Sequence, residues 1–393
     1  MRLLYVLERY PELSQTFVSS EIRGLIELGC EVKVVALAPG RGGERPAPVT
    51  YASDASKFER ISSSLKLIAT QPIPSIRQLA AESSWPPPGG SQKLRGMLRV
   101  APWTDRAREA DHIHAHFATE AADIARLLSA SSGTPFSFTA HATDAYSDPL
   151  KLGRNIRESS FVRAVAPHIS AQLISAAPEC AGRIHEIPAA INDDRFTGTG
   201  HYESQGPVIA VGRLVAKKGF DDLITASSML KTELGNRKVL IAGEGPERER
   251  LEQMIISTGA PVTLLGSVAN AELPKLLARG SLFVAPSKLA SDGDRDGRPA
   301  ALAEAMAVGL PIVSTTLPGI PGLVDSGHGV LVEPGNPNQL AAAIAGMIAR
   351  PSTERAAIGR AAADHAASIH GYRAVARMML DLFNGRGGNR SSS

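Results

Sequence analysis

Ala300 to Val308 reads Ala-Ala-Leu-Ala-Glu-Ala-Met-Ala-Val, and Glu304 is the one ionisable group in it. A carboxylate in so apolar a run must be paired, neutralised or engaged with a ligand. The run carries its own punctuation: Pro299 fits the first helical position and Gly309 the left-handed residue just past the end. The backbone N–H groups of Ala300, Ala301 and Leu302 then begin a helix without intrahelical acceptors, at the positive end of its dipole, which suits an anion. A phosphate site and a buried carboxylate on one helix suit a nucleotide sugar, with phosphate at the helix start and ribose hydroxyls at Glu304.

Three further groupings bear on chemistry. Val208 to Val211 is a short apolar run followed by Gly212-Arg213-Leu214-Val215-Ala216-Lys217-Lys218-Gly219. A strand ending in glycine and cations before a helix start is a place for phosphates, to which Arg213 offers a fork and Lys218 a point charge. Asp111-His112-Ile113-His114-Ala115-His116 alternates with period two and puts three histidines on one strand face. Zinc is the sharp reading of that face. Against it, same-face residues diverge along a strand, and no carboxylate-rich partner motif stands nearby in the sequence. Asp292-Gly293-Asp294 imitates a metal-binding Asp-x-Asp, but it lies in a loop past Ser287 rather than directly at a strand end. A donor already neutralised by Arg213, Lys218 and a helix dipole needs no metal.

These groups need a scaffold, and 393 residues are too many for one ordinary core, so two α/β domains are expected. Leu3 to Leu7 reads as a first strand, followed by a helix that Ser14 or Thr16 caps and that runs to Leu28, then a second strand from Glu31 to Leu37. The strand Pro135 to His141 reaches the same edge as the histidine strand, with Asp144 just beyond. Phe161 to Ala166 and Ile184 to Pro188 complete the first domain, and Thr197 to Gln205 is a linker by composition. Lys238 to Ala242, Leu264 to Val268, Leu282 to Ala285 and Pro311 to Thr315 are strands of the second. Helices from Gln339 to Ile348 and from Thr353 to Asn384 close the chain. Residues 40 to 105 mix Gly/Pro-rich breakers with helical spacing and scattered Lys57, Arg60, Lys66, Arg77, Lys93, Arg95 and Arg99. That basic surface reads either as solvated helix faces or as peripheral contact with a membrane.

Several stretches together resemble one family. Asp296, seven intervening residues and Glu304, followed by Ala305-Met306-Ala307-Val308-Gly309-Leu310-Pro311-Ile312-Val313, resemble the donor-site signature of the family 4 retaining glycosyltransferases of the GT-B fold. Asp296 stands where that family normally has Glu. Gly212 to Gly219 is similar to its GRLxxxKG, Phe138 to Asp144 to its FTxHxxD, and His114 to His116 to its His-x-His strand. Tyr10 to Phe17 resembles the YPxxSxTF loop of exopolysaccharide-type, colanic-acid-type members. The resemblance implies two Rossmann-like doubly wound domains facing across a cleft. The first, acceptor-binding domain would span 1–196 and be closed by a C-terminal helix near 366–385; the second, donor-binding domain would span 206–365. By the same resemblance His116, Arg213, Lys218 and Asp296 are the expected catalytic residues. Gly243, Val268, Ala300, Ala301 and Glu304 join them in holding the donor, and Ser14, Thr16, His116, His141 and Asp144 meet the acceptor or the sugar. His116 is expected to hydrogen-bond a sugar hydroxyl.

The implied reaction moves a hexosyl group from a nucleotide-diphosphate sugar, UDP- or GDP-linked, to a hydroxyl of a sugar, lipid-linked or small-molecule acceptor, with retention and without cofactor or metal. No carboxylate of the first domain presents itself as a nucleophile, so a front-face path, in which the leaving diphosphate takes the acceptor's proton, needs the fewest residues. The alternatives are a metal-dependent hydrolase built on the histidine strand and a non-catalytic sugar-nucleotide binding protein. A net charge of +3 spread along the chain does not indicate nucleic acid. Cys30 and Cys180 are too few for a disulfide framework, and neither a signal peptide nor a spanning apolar run is present. The expectation is a cytoplasmic protein, peripheral at the inner membrane face if the basic surface meets lipid.

Overall fold

Apolar runs with β-branched residues, punctuated by glycine and proline, become short parallel strands in this chain, and Ala/Leu-rich segments become the helices that cover them. The computed structural model describes residues 1–12, 15–70, 101–141, 148–196, 202–296 and 298–386. It divides into two compact units, residues 1–190 with 375–393 and residues 191–374.

In the first unit β1 (Arg2–Tyr10), β2 (Glu31–Pro39), β3 (Val49–Tyr51), β4 (His112–His116), β5 (Phe136–Ala140), β6 (Phe161–Ala164) and β7 (Ile184–Glu186) form one sheet in the order β3-β2-β1-β4-β5-β6-β7. All pairs are parallel. The strand order reverses between β1 and β4, so the carboxyl ends of those strands are where this sheet would take a ligand. β1 runs beyond the expected Leu7, because its ladder with β2 continues to Tyr10↔Pro39 and the Tyr10 ring is buried with its hydroxyl 3.0 Å from Ser19 Oγ. The following helix is Thr16–Glu27, with Gln15 at its N-cap and no side-chain cap bond. The Thr16 cap is therefore corrected: Thr16 is already inside the first turn. Ser14 lies outside the described residues.

The second unit holds β8 (Val208–Val211), β9 (Val239–Ala242), β10 (Val262–Gly266), β11 (Leu282–Ala285), β12 (Ile312–Thr315) and β13 (Gly329–Val332), parallel in the order β10-β9-β8-β11-β12-β13. Its reversal falls between β8 and β11. The division falls ahead of Asn192 to Phe196, which join the second unit, where Arg195 Nη2 donates to the Asn270 carbonyl at 2.8 Å.

The expected single closing helix is two, Ser352–Ile369 and Tyr372–Phe383. The break has a backbone cause: Gly371 bridges Ile191, and the Tyr372 N–H donates to the Ile191 carbonyl at 3.0 Å instead of continuing the helix. From Val375 onward the chain belongs to the first unit, where the Phe383 ring packs 4.9 Å from that of His112. Of the basic segment, Lys66 is ion-paired to Asp105 at 2.6 Å, while Arg77, Lys93, Arg95 and Arg99 lie outside the described residues. Among the described residues no helix is long and apolar enough to cross a membrane.

Two glycines let backbones crowd at the carboxyl edge of the second sheet. Gly243, at φ 149°, passes so near β8 that a Cβ would stand 1.8 Å from the Gly212 carbonyl oxygen. Gly219, at φ 63°, would put a Cβ 1.9 Å from the Pro286 carbonyl oxygen, just past β11. Gly219→Ala therefore combines a left-handed backbone cost of about 1–2 kcal/mol with an overpacking cost of about 1–3 kcal/mol. Gly259 is equally left-handed, at φ 59°, but a Cβ there meets only the flexible tip of Lys231 at 3.2 Å. Urea denaturation should show Gly219→Ala losing about 2–5 kcal/mol and Gly259→Ala only about 1–2 kcal/mol; equal losses would show that the Gly219–Pro286 crossing is loose.

Candidate functional site

The site of the second unit is built at its strand reversal. Val211, Lys218, Phe283, Ser287, Pro299 and Ala301 line a small pocket at the ends of β8 and β11. The helix Ala300–Val308 begins there and ends at left-handed Gly309, whose N–H bonds the Met306 carbonyl at 2.8 Å while that of Leu310 bonds Ala305 at 3.1 Å. Pro299 proves to be the N-cap rather than the first helical residue, with ψ 121°. Its carbonyl accepts from Leu302 N–H at 3.0 Å, which removes Leu302 from the set of open amides. The amides of Ala300 and Ala301 keep no acceptor among the described residues, and no side chain caps them.

Cations stand beside this helix start. Lys218 lays its stem over Gly212, where a Cβ would meet it at 3.1 Å, and its Nζ lies 2.7 Å from Asp296 Oδ2. Ser287 Oγ donates to the same oxygen at 3.0 Å, and Lys217 Nζ is 3.8 Å from Oδ1. Asp296 is thus buried and satisfied from within its own unit. Arg213 is exposed, and its guanidinium has no partner among the described residues. Asp292 and Asp294 form a local turn, with the Asp294 N–H donating to Asp292 at 2.9 Å and its carboxylate paired to Lys217 at 2.9 Å.

Glu304 stands half-buried farther along the helix and makes no hydrogen bond or ion pair among the described residues. Burial of its carboxyl pushes it up to about 7, only partly opposed by the Arg195 guanidinium. Arg195 also holds the Asn270 carbonyl, so it ties the Glu304 neighbourhood to the loop that carries half-buried Val268. Val268 lies beyond the end of edge strand β10, and the Gly243 amide is spent on Gly266 at 2.8 Å. The structure therefore brings Lys218 and Ala301 into one pocket lining, with Asp296 held on Lys218, Ala300 next to Ala301 at the helix start and Arg213 just past the end of β8. It assigns Gly243 to backbone packing and sets Val268 and Glu304 apart from the pocket lining.

In the first unit the histidine strand turns inward. His112 Nε2 and His114 Nδ1 both lie 2.8 Å from Ser137 Oγ, and His114 Nε2 lies 2.9 Å from Thr139 Oγ1. Burial pulls His112 down to about 4 and His114 well below the usual imidazole range, so both are neutral structural groups. His116 is 0% exposed, with Nε2 3.2 Å from Glu21 Oε1 and Nδ1 3.0 Å from His141 Nε2. The expected hydrogen bond from His116 to a sugar hydroxyl is corrected on that ground: both nitrogens are engaged inside the unit. His141 is half-buried at the end of β5, flanked by Phe17 and Phe117 with ring centroids 4.7 and 4.6 Å away. Thr16 is half-buried on the same helix as Phe17, and Asp144 lies outside the described residues.

Among the described residues, Glu21, His114 and His116 are the one set whose ligand atoms approach within 4.8 Å of one another, as a metal site requires. So a carboxylate does meet the histidines, contrary to the sequence expectation. Its oxygens already accept from Tyr5 Oη at 2.7 Å and from Arg163 Nη1, and a guanidinium beside the carboxylate disfavours a second cation. Sequence reasoning missed Glu21, Arg163 and Arg195. The signals were present: Glu21 sits among Val18, Ile22 and Leu25 on the buried face of its helix, and Arg163 interrupts a buried strand. Phe117, with φ 75°, is strained directly after β4, a mark that only coordinates reveal.

Similarity to known proteins runs along nearly the whole chain. The profile of the Glycosyltransferase Family 4 matches residues 14–195, and that of the glycosyl transferases group 1 matches residues 192–365. WcaL of Salmonella typhimurium, named for colanic acid biosynthesis, is 27% identical over 372 residues, covering 87% of this chain and 89% of the relative. AmsK of Erwinia amylovora, an amylovoran biosynthesis glycosyltransferase, is 38% identical over 138 residues, 34% of either chain. In fold the chain resembles Anabaena HepE, solved in complex with UDP, at a TM-score of 0.72 and 19% identity, covering 98% of this chain and 100% of that one. With adjoining profiles on both units and two parallel sheets that match solved GT-B structures, the chain belongs to the group 1, family 4 glycosyltransferases.

Proposed function

We propose that the chain transfers a hexosyl group from a nucleotide-diphosphate sugar to an acceptor hydroxyl with retention and without a metal ion. The observation that carries the donor half is the pocket at the β8/β11 reversal, lined by Lys218 and Ala301, where the helix-start amides of Ala300 and Ala301 are open and the exposed Arg213 follows the end of β8; together these suit phosphate. Glu304, unpartnered on the same helix, is the acceptor for ribose hydroxyls. Asp296 holds Lys218 toward the pocket in the absence of donor and yields it to phosphate on binding.

In the reaction the bond between the anomeric carbon and the leaving diphosphate oxygen breaks, and the acceptor oxygen bonds to the same face. Its proton passes to the leaving phosphate oxygen. Lys218, Arg213 and the two amides stabilise the negative charge that grows there, which is the role a divalent cation takes in metal-dependent transferases. The relatives named for colanic acid and amylovoran biosynthesis support a growing glycan as acceptor, with a lipid-linked one the form that would bring the protein to a membrane surface. The structure shared with UDP-bound HepE supports a UDP-linked donor.

A panel of UDP- and GDP-sugars, assayed for released nucleoside diphosphate with and without a chelator, tests the proposal. One donor should be turned over at the same rate in both conditions, giving a product of unchanged anomeric configuration by NMR. Strong inhibition reversed by manganese would overturn metal independence, and binding without release would indicate a sensor. Glu304→Ala should keep the fold and weaken binding of the matching nucleoside diphosphate by about 1.5–3 kcal/mol, the range for hydrogen bonds to a charged group. Unchanged affinity by calorimetry would remove the ribose assignment.

A further inference from the structure

A second group of cations lies at the other edge of the second sheet. Tyr202 to Gln205 lead into β8, Arg237 stands just ahead of β9, and Ser281 directly precedes β11. The strands are parallel, so this group sits at their amino ends, whereas the pocket lined by Lys218 and Ala301 sits at carboxyl ends. Arg355, near the start of the helix Ser352–Ile369, is 4% exposed. Its Nη1 donates to Tyr202 Oη at 3.2 Å and to the Ser204 carbonyl at 3.1 Å, and the guanidinium lies 5.5 Å from the Tyr202 ring centroid. Half-buried Arg237 donates Nη2 to the same Ser204 carbonyl at 3.3 Å and to Gln205 Oε1 at 2.7 Å. Tyr202 Oη in turn donates to the Ser281 carbonyl, which fixes the ring. One carbonyl oxygen therefore holds two guanidiniums side by side.

Neither guanidinium has a carboxylate partner among the described residues. Glu354, the acid of the same helix start, is paired to Arg350 at 2.6 Å, and exposed Glu203 accepts from the Gln205 N–H at 3.3 Å. The Nε atoms of Arg237 and Arg355 are both buried without a hydrogen-bond partner. No side chain caps the helix that carries Arg355, so its positive dipole end adds to the two cations. Burial and then the Arg355 guanidinium pull Arg237 down, partly opposed by Tyr202. Desolvated like charges with unused donors are costly without an anion, and each arginine presents a fork that matches two oxygens of one. We infer that Arg237 and Arg355 form a binding site for a phosphate-class oxyanion at the amino edge of the second sheet, separate from the pocket at Ala301. The anion enters beside half-buried Arg237, supplies the counter-charge, and fastens the segment leading into β8 to the helix Ser352–Ile369. This site stands whether or not the chain is a transferase.

Arginine-selective 15N labelling reads each Nε–H separately, and correlation to the backbone assigns the signals of Arg237 and Arg355 in the native protein. Titration with inorganic phosphate at pH 7 and constant ionic strength should move both signals along one saturating curve, with a Kd in the millimolar range or tighter. Signals that stay in place, or that drift without saturating, overturn the inference even if no variant folds. Arg237→Gln, at a half-buried position, should weaken the response of the Arg355 signal by at least about 10-fold, the effect of losing hydrogen bonds to a charged group. An Arg355 response of unchanged affinity in folded Arg237→Gln would show that the two arginines do not share an anion. Lys218→Ala should leave the curve as it is, and a curve that weakens with Lys218 would assign the response to the other pocket and overturn the inference. Glycerol 3-phosphate separates the sources: equal affinity supports the terminal group of a phosphate monoester, and a response to inorganic phosphate alone supports the free ion.

Discussion

Glu304 is a carboxylate that burial holds near neutrality and that no hydrogen bond or ion pair satisfies among the described residues. The second unit is arranged around that constraint. The helix that carries it is apolar elsewhere and packs into a core with Phe283, Ile312 and Leu317, so its position is set by burial of its neighbours rather than by the acid itself. Close backbone crossings at Gly219 and Gly243 bring the ends of β8, β9 and β11 together, and the pocket at the helix start exists because those ends approach so tightly. A group of this kind is expensive in an empty protein and becomes useful when a ligand supplies its missing donors.

The two units solve the same electrostatic problem in opposite ways. Each places a helix start at the reversal of a parallel sheet, where amides without acceptors favour an anion. In the first unit the protein supplies the anion: Glu8 on β1 accepts from the Glu120 amide at 3.0 Å and from the Thr119 hydroxyl. In the second the amides of Ala300 and Ala301 have no acceptor among the described residues, and the Asp296 carboxylate is paired to Lys218 instead. The helix-start amides are thereby engaged by the protein's own carboxylate in one unit and left without one in the other.

Much of this was legible in the sequence where local signals were complete. Val208–Val211 and Leu282–Ala285 are strands as expected, since continuous apolar runs between glycine, proline and polar residues leave little freedom in their limits. Pro299 and Gly309 bracketed their helix to within a residue. What was not legible depends on distant partners. Nothing near Gly371 announces that Ile191 will pair with it and split the closing helix. Glu21 meets Arg163 across 142 positions and His116 across 95, so the carboxylate beneath the histidine strand is invisible to spacing. Asp296 was read as reaching outward to a sugar, because its motif places it beside Glu304. The competing attraction of Lys218, from a segment far upstream, turns it inward. Short strands β3 and β13 escaped for a plainer reason: three or four residues carry too little periodicity.

The central claim is that Glu304 receives the ribose, and proton release measures it directly. Ribose hydroxyls favour the ionised carboxylate, so donor binding must lower its pKa and expel the proton it carries when the site is empty. A nucleotide sugar is the right probe, since its pyrophosphate diester has no group that titrates near neutrality. Calorimetry at pH 7 in two buffers of different ionisation enthalpy should find release on the order of half a proton per bound donor, as expected for a group held at about 7, and none in Glu304→Gln. No release from the native protein, or the same release from Glu304→Gln, would contradict the account.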